Sequence, residues 1–298
     1  MSKTLRTALA LLLLAGLAAP QDTGGDPRDV PDPREAADPR KAADPRGEPQ
    51  DRFAVLEGKE LYDALYEAGE EGRLSVALKT DAWQILGYID SHCEDWLALI
   101  ESGAEATEEG RARLASLQTK GRKLAEIADR ALGDTRFMTY VQNFYSWDDA
   151  QQKSFREGQA LYRQGARTIS ESRTPQEALA AITPLQQSVE RSRPLSDTWG
   201  QCMALMLMAR VQADNGQTGP ALANLNEAHR LGREIRDLSS VWDSLALRFE
   251  TSMVLGHFEE ARGALQEQFL IARDLGDEKT GATITRQLVQ LEARMHGD

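Results

Sequence analysis

Cysteine is almost absent from this chain. There are two in 298 residues, Cys93 and Cys202. That excludes a disulfide-built scaffold and a zinc site made from paired cysteines. Both sit on the apolar faces of expected helices in different halves of the chain. They are either two separately buried thiols or, in an oxidising compartment, a pair. Histidine is also sparse, and His92, His229, His257 and His296 offer no two residues at metal-ligand spacing on one helix. His92 and Cys93 are adjacent, and neighbours on a helix point about 100° apart, so they form no nucleophile–base couple. Gly-rich phosphate loops and Gly-x-Ser-x-Gly elbows are missing; Gly24-Gly25 has no strand before it and no helix after it. Acidic pairs such as Glu108-Glu109 and Asp148-Asp149 fall where a helix begins, as partners of its dipole. The expectation is therefore no catalytic, cofactor-binding or metal residue, no cofactor, and no enzyme.

An excess of positive charge is lacking too. The formal net charge is −12, and no concentrated basic stripe offsets it, so nucleic acid is not an expected partner. No apolar run reaches the roughly 20 residues that a membrane-spanning helix needs. The run Ala8 to Ala19 follows the basic residues Lys3 and Arg6 and ends in the small residues Gly16, Ala18 and Ala19. That order is the pattern of a cleaved secretory signal, expected over residues 1–19. No membrane span remains after its removal, and the chain is expected to be exported, periplasmic or secreted.

What is present begins with a short period. Asp-Pro-Arg occurs at 26–28, 32–34, 38–40 and 44–46. Recurrent proline blocks helices and strand ladders, and almost nothing here is apolar, so residues 20–52 are expected to be a disordered, extended linker. From Phe53 the periodicity becomes helical. Leu56, Leu61, Leu65 and Tyr66 outline a short helix. Ala82, Leu86, Ile89, Cys93, Trp96 and Ile100 form one stripe of a long helix closed by Gly103. Thr107 starts another that runs to Gly133, and Phe137, Tyr140, Val141 and Phe144 make a short aromatic one. Ser146 with Asp149 is expected to open a helix running to about Ser170. Residues 53–146 are thus a helical region, either a divergent extension of the helices C-terminal to it or a separate bundle.

Residues 147–298 are punctuated more sharply. Thr174-Pro175-Gln176-Glu177 places an N-cap, a proline at the first helical position and an acid at the third. Gly219-Pro220 repeats the device, Ser240 with Asp243 is expected to start a third helix, and Asp277 caps the last. Short connections make these helices antiparallel hairpins. Asn215-Gly216 and Leu255-Gly256 each end a helix; Ala221 and Ala261 come five residues later, and Leu225 and Leu265 four after that. The internal period is about 40 residues.

This pattern resembles the tetratricopeptide (TPR-like) family over the C-terminal half. From Cys202 on, small residues stand at Ala209, Gly216, Ala221 and Ala228, with Leu225 in the large slot. From Trp242 on come Leu245, Gly256, Ala261 and Leu265, while Phe249 and Gln268 replace small residues. An earlier unit is traced through Tyr162, Ala166, Ala178 and Ile182. The expected fold is all-α: antiparallel helical hairpins forming a TPR-like α-solenoid, preceded by a helical N-terminal region. The resemblance implies that the first helix of each hairpin lines a groove for peptides or partner domains. Its residues here would be Arg163 and Arg167, then Met203, Met206 and Arg210, then Ala246 and Glu250. The implied function is an exported, non-catalytic protein–protein interaction scaffold whose partners are other proteins or peptides of the cell envelope. The alternative is an envelope-associated hydrolase with an unrecognised helical active site.

Overall fold

The computed structural model describes residues 53–296. The expected signal and Asp-Pro-Arg segments lie outside those residues. The chain from Leu56 onward forms one compact unit. It is all-helical, and its helices pack in consecutive pairs with no strand among the described residues, an all-α helical solenoid.

The N-terminal part contains α1 (Gly58–Glu67), α2 (Glu71–Thr80), α3 (Ile85–Glu101), α4 (Glu108–Leu132) and α5 (Arg136–Tyr145). The hairpins come next. They are α6 (Asp149–Glu171), α7 (Pro175–Ala178) leading through a 3-10 turn at Leu179–Ala181 into α8 (Ile182–Ser192), α9 (Thr198–Asp214), α10 (Thr218–Ile235), α11 (Leu238–Leu255), α12 (Phe258–Asp274) and α13 (Glu278–His296). Several start where a side chain satisfies a free backbone N–H group of the first turn. Thr107 accepts from Gly110 N at 3.0 Å and Thr174 from Glu177 N at 3.2 Å. Two expected starts are corrected. The cap of α6 is Asp148, which closes a reciprocal box with Gln151, rather than Ser146. The residue before α11 is Asp237, rather than Ser240, whose hydroxyl instead donates to the Asp237 carboxylate. The separate helix α2 carries no clear periodic signal, because Leu74 and Leu78 alone make too short a stripe.

The hairpin period is carried by backbone conformation. Ser196, Arg236 and Gly276 are all left-handed, at φ 52°, 57° and 72°, and stand 40 residues apart. Each is followed by an aspartate, Asp197, Asp237 or Asp277. The N–H of that aspartate bonds to the carbonyl of Ser192, Gly232 or Ala272, five residues back. This is one helix-ending motif at each of the three turns between hairpins, and the same bond recurs within the hairpins after Gly216 and Gly256. Between these turns the helix crossings are tight. Ala209, Ala221, Ala228 and Ala261 are wholly buried. A Cβ on Gly165 would lie 2.6 Å from Leu185, so glycine is what lets α6 and α8 cross there. The two departures from the small-residue pattern are accommodated. Phe249 packs half-buried against Val241, Leu245 and Ala264, and buried Gln268 reaches the Trp242 carbonyl at 3.3 Å. The buried amide is thereby satisfied, which is what its burial demands.

The last described helix, α13, differs from the equivalent helix α11 in what it buries. Leu245 and Phe249 of α11 face α12. Forty residues on, their equivalents in α13 are Thr285 and Val289, both exposed.

The N-terminal helices do not extend the stack of hairpins. They dock on the turns that join one hairpin to the next. Trp147 Nε1 and Asn143 Nδ2 donate to the Leu195 carbonyl at 3.2 and 2.9 Å. Arg236 reaches the Leu132 carbonyl at 3.1 Å and Asp134 at 2.9 Å, while Arg136 donates to the Arg233 carbonyl at 2.6 Å. Ser239 donates to the Trp83 carbonyl at 3.2 Å, and the Trp83 and Trp242 rings meet edge-on at 5.7 Å. Two of the three turns are covered in this way. At the third, Gly276 and Asp277 are exposed.

Candidate functional site

The first helices of the three hairpins, α6, α9 and α11, present equivalent positions. Between α9 and α11 the offset is 40 residues, so Met203, Met206 and Arg210 correspond to Asp243, Ala246 and Glu250. In the first hairpin the 3-10 turn Leu179–Ala181 adds three residues. The matching positions on α6 are therefore Ala160, Arg163 and Arg167. None of these nine residues is buried: Ala160, Arg163, Arg167 and Glu250 are exposed and the other five half-buried. On helices whose flanking positions, such as Ala204, Leu205, Leu207 and Met208, lie in the core, that makes one continuous accessible stripe.

Each position has its own chemistry. Arg163 donates only to the Gln159 carbonyl within its own helix, at 3.3 Å. The Arg167 guanidinium has no ion-pair partner among the described residues. Met206 leans on the cluster of Ala209, Leu225 and Leu247, leaving part of its side chain outward. Arg210 is engaged, with Asp214 at 3.2 Å and, across the repeat boundary, Glu250 at 3.8 Å. Asp243 has no ion-pair partner among the described residues, and burial, with nearby Asp237, pushes its carboxyl up to about 6. The structure thus brings Arg163, Arg167, Met203, Met206 and Arg210 onto one stripe and adds Asp243. Sequence reasoning misses that residue by assigning it to a helix start; the signal is its place 40 residues after Met203.

A second polar group lies where the N-terminal helices meet the hairpins. Tyr140 of α5 donates to Asp90 of α3 at 2.5 Å. Arg156 of α6 pairs with Glu101 at 2.7 Å and with Glu94, whose other oxygen takes the Gln159 amide at 2.5 Å. Asp197, fixed by Gly200 N at 2.9 Å and Ser192 Oγ at 2.8 Å, completes the group. Burial, then Glu94, pushes the Asp90 carboxyl up to about 8, so it holds a proton at neutral pH. No helix stripe could have announced Asp90, which lies off the apolar face of α3.

Elsewhere the chemistry is quiet. Burial holds His92 down to about 4 and Cys93 well above the usual thiol range, so neither carries charge at neutral pH. Both cysteines are free and buried. A cleft of about 340 Å³ between α1, α2 and α4 has Leu74 and Ile127 in its lining, and its charges are paired, Lys123 with Glu71 at 3.0 Å and Glu67 with Lys120 at 3.1 Å. No group of three or more His, Cys, Asp or Glu among the described residues is arranged to hold a metal ion. No described helix is long and apolar enough to cross a membrane.

Residues 179–250 and 243–295 match the model of the family described as anaphase-promoting complex subunit 5. The C-terminal half is similar to that helical-repeat family. The first matched stretch starts at the 3-10 turn that precedes α8 and the second ends in α13, so the similarity stops short of α1–α7. No curated protein matches the chain.

Proposed function

We propose that this chain is an exported, non-catalytic scaffold that docks other envelope proteins or peptides on the first helices of a TPR-like array. Residues 1–19 are its signal, 20–52 its spacer, 53–146 its bracing helices and 147–298 its binding array; it works in the periplasm or outside the cell. The observation that carries this reading is the stripe of nine accessible residues at equivalent positions on α6, α9 and α11. Stacked hairpins make such extended surfaces because each repeat adds the same positions to the row. The matched family supports it, since its description is that of a subunit of a larger complex. Arg163, Arg167, Met203, Met206 and Arg210 are the contact residues of this reading. Arginine supplies forked donors for carboxylates, and methionine an adaptable apolar contact.

A photo-crosslinking amino acid in place of Met206, compared with one in place of the exposed Asn226 on α10, tests the surface in the protein's own cells. Adducts to another protein from position 206 and none from 226 are expected. Equal adducts, or none, would overturn the reading. Export is checked by fractionation and N-terminal sequencing, with a mature chain beginning after Ala18 or Ala19.

A further inference from the structure

The stripe is not electrically uniform. Its α6 portion, Ala160, Arg163 and Arg167, carries two cations whose guanidinium groups find no carboxylate among the described residues. Its α9 portion is Met203 and Met206, with Arg210 already tied to Asp214 and Glu250. Its α11 portion is Asp243, Ala246 and Glu250, with two acids and no cation of its own. The next equivalent helix, α13, places Thr283, Arg286 and Gln290 at these positions, so the acidic step is confined to α11. The row therefore runs basic, apolar, acidic across three helices. The N-terminal helices meet Arg156 of α6, the turn at Leu195 and Trp242 of α11, and leave the row itself accessible.

A surface with separated charges distinguishes ligands by the order of theirs, because each mismatched end leaves a partly desolvated charge unpaired. Asp243 is the sharpest instance: half-buried, without a cation, and beside the buried carboxylate of Asp237. We propose that the stripe takes a peptide segment of a partner protein in one charge order, with its acidic residues over Arg163 and Arg167, an apolar residue over Met203 and Met206, and a basic residue over Asp243. This rests on the scaffold reading and gives it a ligand chemistry. Helix axes about 10 Å apart make the row about 20 Å long, the reach of about six extended residues.

Three fluorescein-labelled peptides of one composition test it against the full chain by anisotropy: Glu-Glu-Leu-Met-Leu-Lys-Lys, the same with its charged pairs exchanged, and Glu-Lys-Leu-Met-Leu-Glu-Lys. Because backbone direction is free, at least one segregated peptide should bind tenfold or more tighter than the alternating one. The variant Arg163→Glu, Arg167→Glu, Asp243→Lys, Glu250→Lys should lose that preference for the favoured order and transfer it to the exchanged one, with an unchanged helical circular dichroism spectrum. Equal binding of all three peptides would overturn the charge order. A preference that survives the fourfold variant would move it off this stripe. If crosslinking from position 206 succeeds while the peptides bind alike, the scaffold stands and only this inference falls.

Discussion

Residues 149–296 and residues 58–145 are both helical, and they are held together by different means. The hairpins rely on repetition: the same left-handed turn at Ser196, Arg236 and Gly276, and small residues such as Ala209, Ala221, Ala228 and Ala261 where helices cross. The N-terminal helices rely on individual contacts. Phe144 packs 4.5 Å from Trp147 and 5.3 Å from Phe155, and Trp96 packs 4.9 Å from Tyr145. Phe155 belongs to α6, so this aromatic cluster also fastens one region to the other. A repeating array distributes its stability over many small equivalent interfaces. The bracing helices concentrate theirs in a few large side chains and a handful of polar bonds.

The most damaging single change should therefore lie in the cluster. Phe144 is 1% exposed, and Phe144→Ala should cost about 3–5 kcal/mol in chemical denaturation. Leu225→Ala, in the array, removes a smaller side chain from a site that neighbouring repeats support, and should cost about 2–4 kcal/mol. A reversed order would mean that the array, not the aromatic junction, is the more fragile part.

The next contrast is electrostatic. The folded chain raises Asp90 from 3.8 to about 8. A raised carboxylate binds its proton more tightly when folded, so its stabilising contribution is complete below about pH 4 and declines as pH rises towards about 8. Burial drives it in that direction, helped by Glu94 and Asp197, while the hydrogen bond from Tyr140 and the charge of Arg156 oppose them. Asp90→Asn removes the titration and keeps an oxygen for Tyr140. Relative to the parent, the variant should gain more stability at pH 8 than at pH 5, measured by urea denaturation at both. Taking the difference between the two proteins cancels His92, whose depressed value acts in the opposite sense, its contribution being lost as pH falls from about 6.5 to about 4. An equal effect at both pH values would mean that the Asp90 carboxyl is not raised by its surroundings.

The same contrast explains what was legible in the sequence. The hairpins were readable because their determinants are local: a cap, a glycine, an alanine at a fixed interval. Even so, the period was carried partly by residues with no glycine signature. Ser196 and Arg236 take the left-handed conformation that Gly276 takes at no steric penalty, and only the aspartate following each betrays the turn. Arg236 is held there by Leu132 and Asp134 of the N-terminal region. Tyr140 and Phe144 were recognisable as one aromatic helix, but nothing local revealed that Tyr140 meets an aspartate 50 residues earlier. Asp243 shows the same limit within the site: its neighbourhood is defined by the repeat, not by its sequence neighbours. At Ser196 the reading can be sharpened by a small effect. An L-residue in the left-handed region costs roughly 1–2 kcal/mol, and the Ser196 carbonyl bonds to Thr198 N and Asn143 survive a change of side chain. Ser196→Gly should therefore raise stability by about 1 kcal/mol, visible as a higher denaturation midpoint with an unchanged slope.

The smallest expected effect separates an interior repeat from the end of the array. Phe249 and Val289 stand at the same position, 40 residues apart, on α11 and α13. Phe249 is covered by α12, where it packs against the clusters that hold Ala261, Ala264 and Leu265. Val289 is 62% exposed. Phe249→Thr removes a large apolar side chain from between two helices and should cost roughly 2 kcal/mol, less than a fully buried phenylalanine because part of its surface is already wet. Val289→Thr changes a residue that water already touches, and should shift stability by less than about 0.5 kcal/mol. A cost at Val289 comparable to that at Phe249 would mean that α13 is covered in solution. The polar face of Thr285 and Glu292 would then belong to an interface rather than to the solvated end of the array.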